Sequence, residues 1–183
     1  MKIIKTGKKK YPIKAILSNG KKLTIPKQKE FASDWLKHHG CSLMAEYVAL
    51  QWLGVKKFLK GKEIVGIYPI NLMKWHKNHT KDQVKSKVTV KGVAEGINRI
   101  AKGKGKATYY PTVTEERIKE AFKKGHIVIM EQKEPIHTIL LLHDKDGSWI
   151  VNYGKVKKVN VDKIAKTATK NETYRGMLVI KEV

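Results

Sequence analysis

The only cysteine of the chain lies where a helix is expected to begin. Cys41 follows Gly40 and opens an apolar stretch, residues 41–53, which ends before Gly54. Glycine commonly terminates a helix. A helix N-terminus favours negative charge, and a nearby histidine cation further favours the thiolate, which is the reactive form of cysteine. Cys41 is therefore a candidate nucleophile, with a small buried core residue as the alternative interpretation.

Two polar residues in otherwise apolar segments could assist such a nucleophile. His137 lies in the apolar run of residues 136–142, and Asn152 lies in the run of residues 149–153. Asparagine is depleted from strands, so its presence there needs a reason. An imidazole can take the proton of a thiol, and an adjacent amide can fix the tautomer and orientation of the ring. A histidine satisfied within the core is the alternative for His137, and His143 is a second candidate base on the same strand face.

The turn between these two segments determines whether they meet. Residues 144–147 have the composition of a turn, and a four-residue loop there makes His143 face Ser148. His137 and Asn152 then project from the same face as diagonal neighbours, about 7–8 Å apart at the backbone. A loop of odd length would place them on opposite faces of the sheet.

The remaining elements predict an α+β fold. Residues 11–26 are predicted to form an N-terminal β-hairpin around Asn19-Gly20, the strongest short hairpin signal. The lysine- and glycine-rich residues 102–107 are predicted to be a loop, and Thr112 to Glu115 has the pattern of a capping box. Helices are predicted at residues 30–37, 40–54, 70–77, 92–101, 115–124 and 162–168, and further strands at 127–130, 136–143, 149–153 and 177–180. Helices thus dominate the first half and strands the second, which favours an antiparallel sheet in residues 126–183.

Composition excludes several classes of protein. The 183 residues include one cysteine, so an internal disulfide and a multi-cysteine zinc site are both excluded. No apolar run reaches the length of a membrane span, and the first ten residues lack the apolar centre of a signal peptide. His76 and His79 have helical spacing, but no cysteine or carboxylate near them in sequence supports a metal site. We expect no cofactor and no transmembrane segment, and cytoplasmic and secreted locations both remain open, as does the oligomeric state.

The net charge of +23 favours an acidic partner. Lysine supplies nearly all of the positive charge, whereas specific reading of bases usually depends on arginine, of which there are only three, Arg99, Arg117 and Arg175. A solvated lysine-rich surface and a nucleic-acid or anionic-polymer interface are the two interpretations.

Two stretches resemble the papain-like cysteine peptidases related to the bacteriocin-processing, double-glycine-leader peptidases. Residues 40–54, GCSLMAEYVALQWLG, are similar to the nucleophile helix of that family, and residues 118–158 are similar to its second half. The resemblance implies a single papain-like domain over residues 1–183, with the nucleophile helix in an N-terminal helical lobe and a C-terminal antiparallel sheet. It also implies a Cys41, His137 and Asn152 triad that cleaves peptide bonds of a peptide or protein substrate through a thioester acyl-enzyme. The family often has Asp in place of Asn152, and both residue types can orient a histidine.

The chain departs from the family pattern beside the nucleophile. The family places a glutamine about six residues before its cysteine, where the amide helps to form the oxyanion hole, but here that position is Trp35. The nearest upstream glutamine is Gln28, while Ser33, His38 or His39 could supply a donor instead. Ser42-Leu43 also replaces the Gly-Pro that commonly follows the family's cysteine. A catalytically degenerate relative that binds peptides is therefore one alternative to an active peptidase. A basic nucleic-acid or anionic-polymer binder is the other, on the basis of the net charge.

Overall fold

The computed structural model describes residues 1–4, 12–79, 88–134, 136–152, 154–170 and 174–183. Tyr11, the first residue of the predicted hairpin, and Tyr153, the last residue of a predicted strand, lie outside these ranges. The described part of the chain is a mixed α+β structure with antiparallel sheets. None of its helices is both long enough and apolar enough to cross a bilayer.

The N-terminal sheet contains the predicted hairpin. Strands β2 and β3 pair from Ile13 opposite Ile25 to Ile16 opposite Lys22, and Gly20 takes the positive φ of 82° that the turn requires. A further strand, β1, pairs antiparallel with β2 and was not predicted. The bounds of the three strands are β1 Lys2–Ile4, β2 Ile13–Ile16 and β3 Lys22–Ile25.

The helical part follows this sheet. Its first α-helix begins later than predicted, at Asp34, because the Ser33 hydroxyl accepts a hydrogen bond from Leu36 N and so caps the helix there. The second helix is buried around nearly its whole circumference, as its apolar composition predicts. The elements are a 3-10 turn (Gln28–Glu30), α1 (Asp34–His39), α2 (Cys41–Trp52), the hairpin β4 (Lys57–Lys60) and β5 (Glu63–Gly66), α3 (Pro69–His79) and α4 (Val90–Ile100).

The second half forms a six-stranded antiparallel sheet with the strand order β10-β9-β8-β7-β11-β6. Its members are β6 (Gly105–Tyr110), β7 (Ile127–Gln132), β8 (His137–Asp144), β9 (Gly147–Asn152), β10 (Lys155–Val159) and β11 (Tyr174–Glu182), with helices α5 (Glu115–Lys123) and α6 (Val161–Lys170) between strands. Strand β10 forms one edge of this sheet.

Two predictions in this half were wrong. Residues 105–107 are not loop but the start of β6, which pairs with β11 and extends the sheet beyond residues 126–183. The α5 cap is Thr114 rather than Thr112, because the Thr114 side chain accepts a hydrogen bond from Arg117 N.

Each face of the sheet has its own core, because successive side chains of a strand point to opposite faces. Leu140, Leu142 and Val151 belong to the larger core, which also contains the buried residues of α2. Ile139 and Leu141 belong to a second core, which they share with residues of α5 and α6. Helix α2 therefore covers one face of β8, and α5 and α6 cover the other.

Candidate active site

Strands β8 and β9 bring His137 and Asn152 together. The strands pair from Leu140 opposite Val151 to Asp144 opposite Gly147. This is the predicted register, although the ladder closes around a loop of only two residues. At the open end of the hairpin, His137 Nε2 lies 2.6 Å from Asn152 Oδ1. Because the amide oxygen only accepts, Nε2 carries the hydrogen and the lone pair of the neutral ring is on Nδ1.

Burial sets the protonation behaviour of His137. Its side chain is only 3% exposed. Loss of hydration lowers the pKa of His137 below the ordinary value of 6.5, and the hydrogen bond to Asn152 opposes this effect only in part. The ring is therefore neutral near pH 7, which is the form that can accept a proton from a thiol.

Cys41 is the first residue of α2, as predicted, and it is partly exposed. It lines a small cavity of about 20 Å³ together with Gln28, Thr138 and Gly154. A cavity of this size holds about one water molecule. Since Thr138 directly follows His137 in β8, the cavity places Cys41 beside the start of that strand.

The Cys41 thiol and the His137 ring approach the start of β8 from different sides. Thr138 lines the cavity with Leu140, on the face that α2 covers, and strand alternation assigns His137 to the opposite face. Both Cys41 and His137 are in the described part of the chain, and no hydrogen bond joins Cys41 Sγ to the ring. His137 stands at the first position of β8, where the hydrogen bond to Asn152 holds its ring.

Gln28 is a site residue that linear spacing did not reveal. It lies thirteen residues before Cys41, yet it lines the same cavity and is 3% exposed. Its Nε2 donates to Lys37 O at 3.1 Å, while its Oε1 is buried and has no hydrogen-bond partner among the described residues. The sequence around it, residues 26–30, is polar and carries no signal of this burial. The spacing differs from the expected six because α1 folds residues 28–40 back on themselves.

The other expected oxyanion donors lie elsewhere. Trp35 packs against the large core, and its ring contacts His39 at a centroid distance of 5.7 Å. Ser33 is occupied in capping α1. His38 and His39 are exposed. None of the four lines the cavity at Cys41, so Gln28 is the side chain best placed to serve Cys41.

The remaining candidate histidines have structural partners. His143, the second candidate base, lies at the far end of β8, where Nδ1 is 2.8 Å from Ser148 Oγ and the ring stacks on Phe122. His76 Nε2 lies 2.7 Å from Glu46 Oε2, in a pair with no side-chain exposure. The carboxylate partner of His76 is therefore thirty residues away in sequence, and inspection of the neighbouring residues could not reveal it.

His79 stacks on Trp75 with a centroid distance of 4.6 Å, and its Nδ1 lies 2.9 Å from Trp75 O. Within the described ranges, no group of three or more His, Cys, Asp or Glu side chains could hold a metal ion.

No protein-family model matches this chain, and a comparison with curated proteins finds no match. The geometry of the site is therefore the basis for the functional argument.

Proposed function

We propose that the chain is a papain-like cysteine-peptidase domain that hydrolyses peptide bonds. The observation that carries the proposal is the 2.6 Å hydrogen bond between His137 Nε2 and Asn152 Oδ1, at the end of β8 that lies beside Cys41. A buried, neutral imidazole held by an amide is the base that thiol nucleophiles use, and the proposal requires that it reach Cys41 from the opposite face of β8.

The reaction is an acyl transfer to water. His137 takes the Cys41 proton, Sγ forms a bond to the substrate carbonyl carbon, and the tetrahedral intermediate collapses as the peptide C–N bond breaks. The leaving amine receives the proton from His137, which leaves a thioester on Cys41. His137 then takes a proton from water, the hydroxide adds to the thioester, and the C–S bond breaks to release the acid as His137 returns the proton to Sγ.

Two groups are available to stabilise the oxyanion. The backbone N–H of Cys41 is at the first position of α2, where no intrahelical acceptor exists. Gln28 lines the cavity beside it, and since one N–H of its Nε2 donates to Lys37 O, the second N–H is the donor it can offer; the loss of one such donor costs about 10²–10³ in rate.

The second candidate is a peptide-binding domain that does not cut. Two observations favour it: Cys41 Sγ makes no hydrogen bond to His137 in the described structure, and Trp35 stands where the family has its glutamine. This candidate predicts peptide affinity that is unchanged in Cys41→Ala, with no product formed by either protein.

The deciding experiment is the rate of Cys41 alkylation by iodoacetamide between pH 4 and pH 10. We expect wild type to react well below the pH of about 8.5 at which a free thiol titrates, and His137→Ala to move the profile upward. His143→Ala is the matched control, because it removes a histidine from the other end of the same strand. If all three proteins react like a free thiol, the catalytic proposal fails and the binding candidate replaces it.

A further inference from the structure

A groove of about 1070 Å³ borders the candidate site. Lys27 and Lys29, from the segment after β3, line it together with Lys155 and Lys157 of β10, and we call it the lysine groove. Asn152, whose side chain holds His137, lines the same groove. A ligand in the lysine groove is therefore adjacent to Asn152, the positioning residue of the proposed site.

The charge of the lysine groove is unbalanced. No acidic side chain is among the described residues that line it. Lys29, Lys155 and Lys157 are exposed, and no carboxylate in the described ranges forms an ion pair with any of them, whereas Lys27 lies 3.8 Å from Glu30. Several like charges around a concave surface attract an anionic ligand.

The edge position of β10 suits an extended peptide. β10 is the edge strand of the six-stranded sheet, so its outer edge can accept a further strand. Lys155 and Lys157 face Asn152 and Ile150 across the β9–β10 ladder. Being two residues apart, they project from one face of β10. Ile13, Ile150 and Val156 give the groove an apolar component.

The lining also distinguishes a peptide from a nucleic acid. Proteins that bind single-stranded nucleic acid combine positive charge with aromatic side chains on which the bases stack. The described lining of the lysine groove has aliphatic side chains and lysines but no aromatic ring and no arginine. This combination favours a ligand with alternating apolar and acidic side chains.

We propose that the lysine groove binds an acidic peptide as an added strand on β10, with Glu or Asp side chains at alternate positions facing Lys155 and Lys157. The inference rests on the proposed function in one respect, namely that the bound peptide is the substrate of Cys41. It specifies the substrate class: acidic peptides that present a carboxylate at every second residue.

The test measures binding and cleavage separately. Fluorescence anisotropy gives the Kd of a labelled octapeptide of alternating Glu and Val for the full chain, and of its Gln–Val counterpart, at about 50 and about 300 mM NaCl. We expect the Glu peptide to bind about tenfold more tightly at low salt, because each of several exposed lysine–carboxylate pairs contributes roughly a twofold factor. High salt should remove most of that preference.

Two double variants locate the site. Lys155→Gln/Lys157→Gln should lower the preference for the Glu peptide about fourfold, because it removes two of the lysine–carboxylate pairs. Lys106→Gln/Lys181→Gln removes the same charge from exposed, directly paired strand residues at the opposite edge of the same sheet, so it should retain the preference. Equal loss in both double variants would show an effect of net charge alone and would overturn the inference.

Further outcomes separate the inference from the proposed function. Cleavage of peptides by wild type but not by Cys41→Ala, with no preference for acidic sequences, refutes the lysine groove and keeps the peptidase. Preferential binding of the Glu peptide through Lys155 and Lys157, with no cleavage, refutes the peptidase and keeps the groove. If an oligothymidylate binds more tightly than the Glu peptide and loses its affinity in Lys155→Gln/Lys157→Gln, the groove is a nucleic-acid site and the inference is wrong.

Discussion

Gly154 packs against the segment that contains Gln28, and its replacement by alanine should lower the free energy of unfolding. Gly154 lies between β9 and β10 with a φ of +80°, and it lines the cavity at Cys41. A Cβ atom there would lie 2.6 Å from Pro26 O and 2.8 Å from Lys27 Cα. Both neighbours are backbone atoms, so a change of rotamer cannot relieve the overlap.

The expected cost has two parts. The left-handed backbone costs alanine about 1–2 kcal/mol relative to glycine. Moving backbone to accommodate an added carbon in a packed region costs about 1–3 kcal/mol more. Together, Gly154→Ala should lower the free energy of unfolding by about 2–5 kcal/mol.

Gly103→Ala is the matched control for this substitution. Gly103 has a φ of +78°, and an added Cβ there would meet no heavy atom within 4 Å. Only the backbone part of the cost should appear, and the effect of the lost glycine on the unfolded chain cancels between the two variants. Urea unfolding should therefore separate the two by about 1–3 kcal/mol. A separation below about 0.5 kcal/mol, the size of an ordinary surface effect, would refute the contact between this turn and Pro26.

Two further predictions concern buried groups. Gly96→Ala should lower the free energy of unfolding by about 1 kcal/mol in urea, because the new Cβ would overlap Glu46 Oε1 and lie 2.9 Å from His76 Cε1, and this overpacking exceeds the gain in helix propensity. Adding Glu46→Ala should reduce the cost of Gly96→Ala. An unchanged cost would show that the strain arises elsewhere. Wild type should lose stability as the pH falls through and below 6.5, because burial lowers the pKa of His137 and the unfolded chain then binds more protons than the folded one. Thermal unfolding between pH 5 and pH 8 should give a smaller slope for His137→Gln, with the residual slope in the same direction because the pKa of His126 is lowered by burial as well.

The local part of the candidate site could be predicted from the sequence. The β8–β9 hairpin is specified by period-two alternation along its strands and by the turn residues between them. Both signals involve residues that are close in sequence. His137 and Asn152 therefore meet as the register requires. Helix α2 was equally accessible to prediction, since a continuous apolar run that ends at Gly54 indicates a buried helix.

The non-local parts could not be predicted, for physical reasons that differ by element. In β6 the buried alternate positions are Gly105 and Ala107, which are too small to give a hydrophobic signal. A Cβ at Gly105 would overlap the side chain of Leu53, which is distant in sequence. Strand β10 consists mainly of lysines, and its pairing with β9 depends on the preceding strand rather than on its own composition. Gln28 was missed because the number of residues between two positions does not measure their distance once a helix folds back between them.

The two halves of the candidate site are therefore fixed by different forces. Hairpin register fixes His137 relative to Asn152, so that relationship should survive most changes outside β8 and β9. Cys41 is fixed by the packing of α2 against the sheet and by the segment that contains Gln28, which meets the β9–β10 turn at Gly154. A disturbance at Gly154 should thus alter the alkylation of Cys41 while leaving the His137–Asn152 hydrogen bond in place. If Gly154→Ala instead leaves the pH profile of alkylation unchanged, the reactivity of Cys41 depends on α2 alone, and Gln28 has no part in the chemistry.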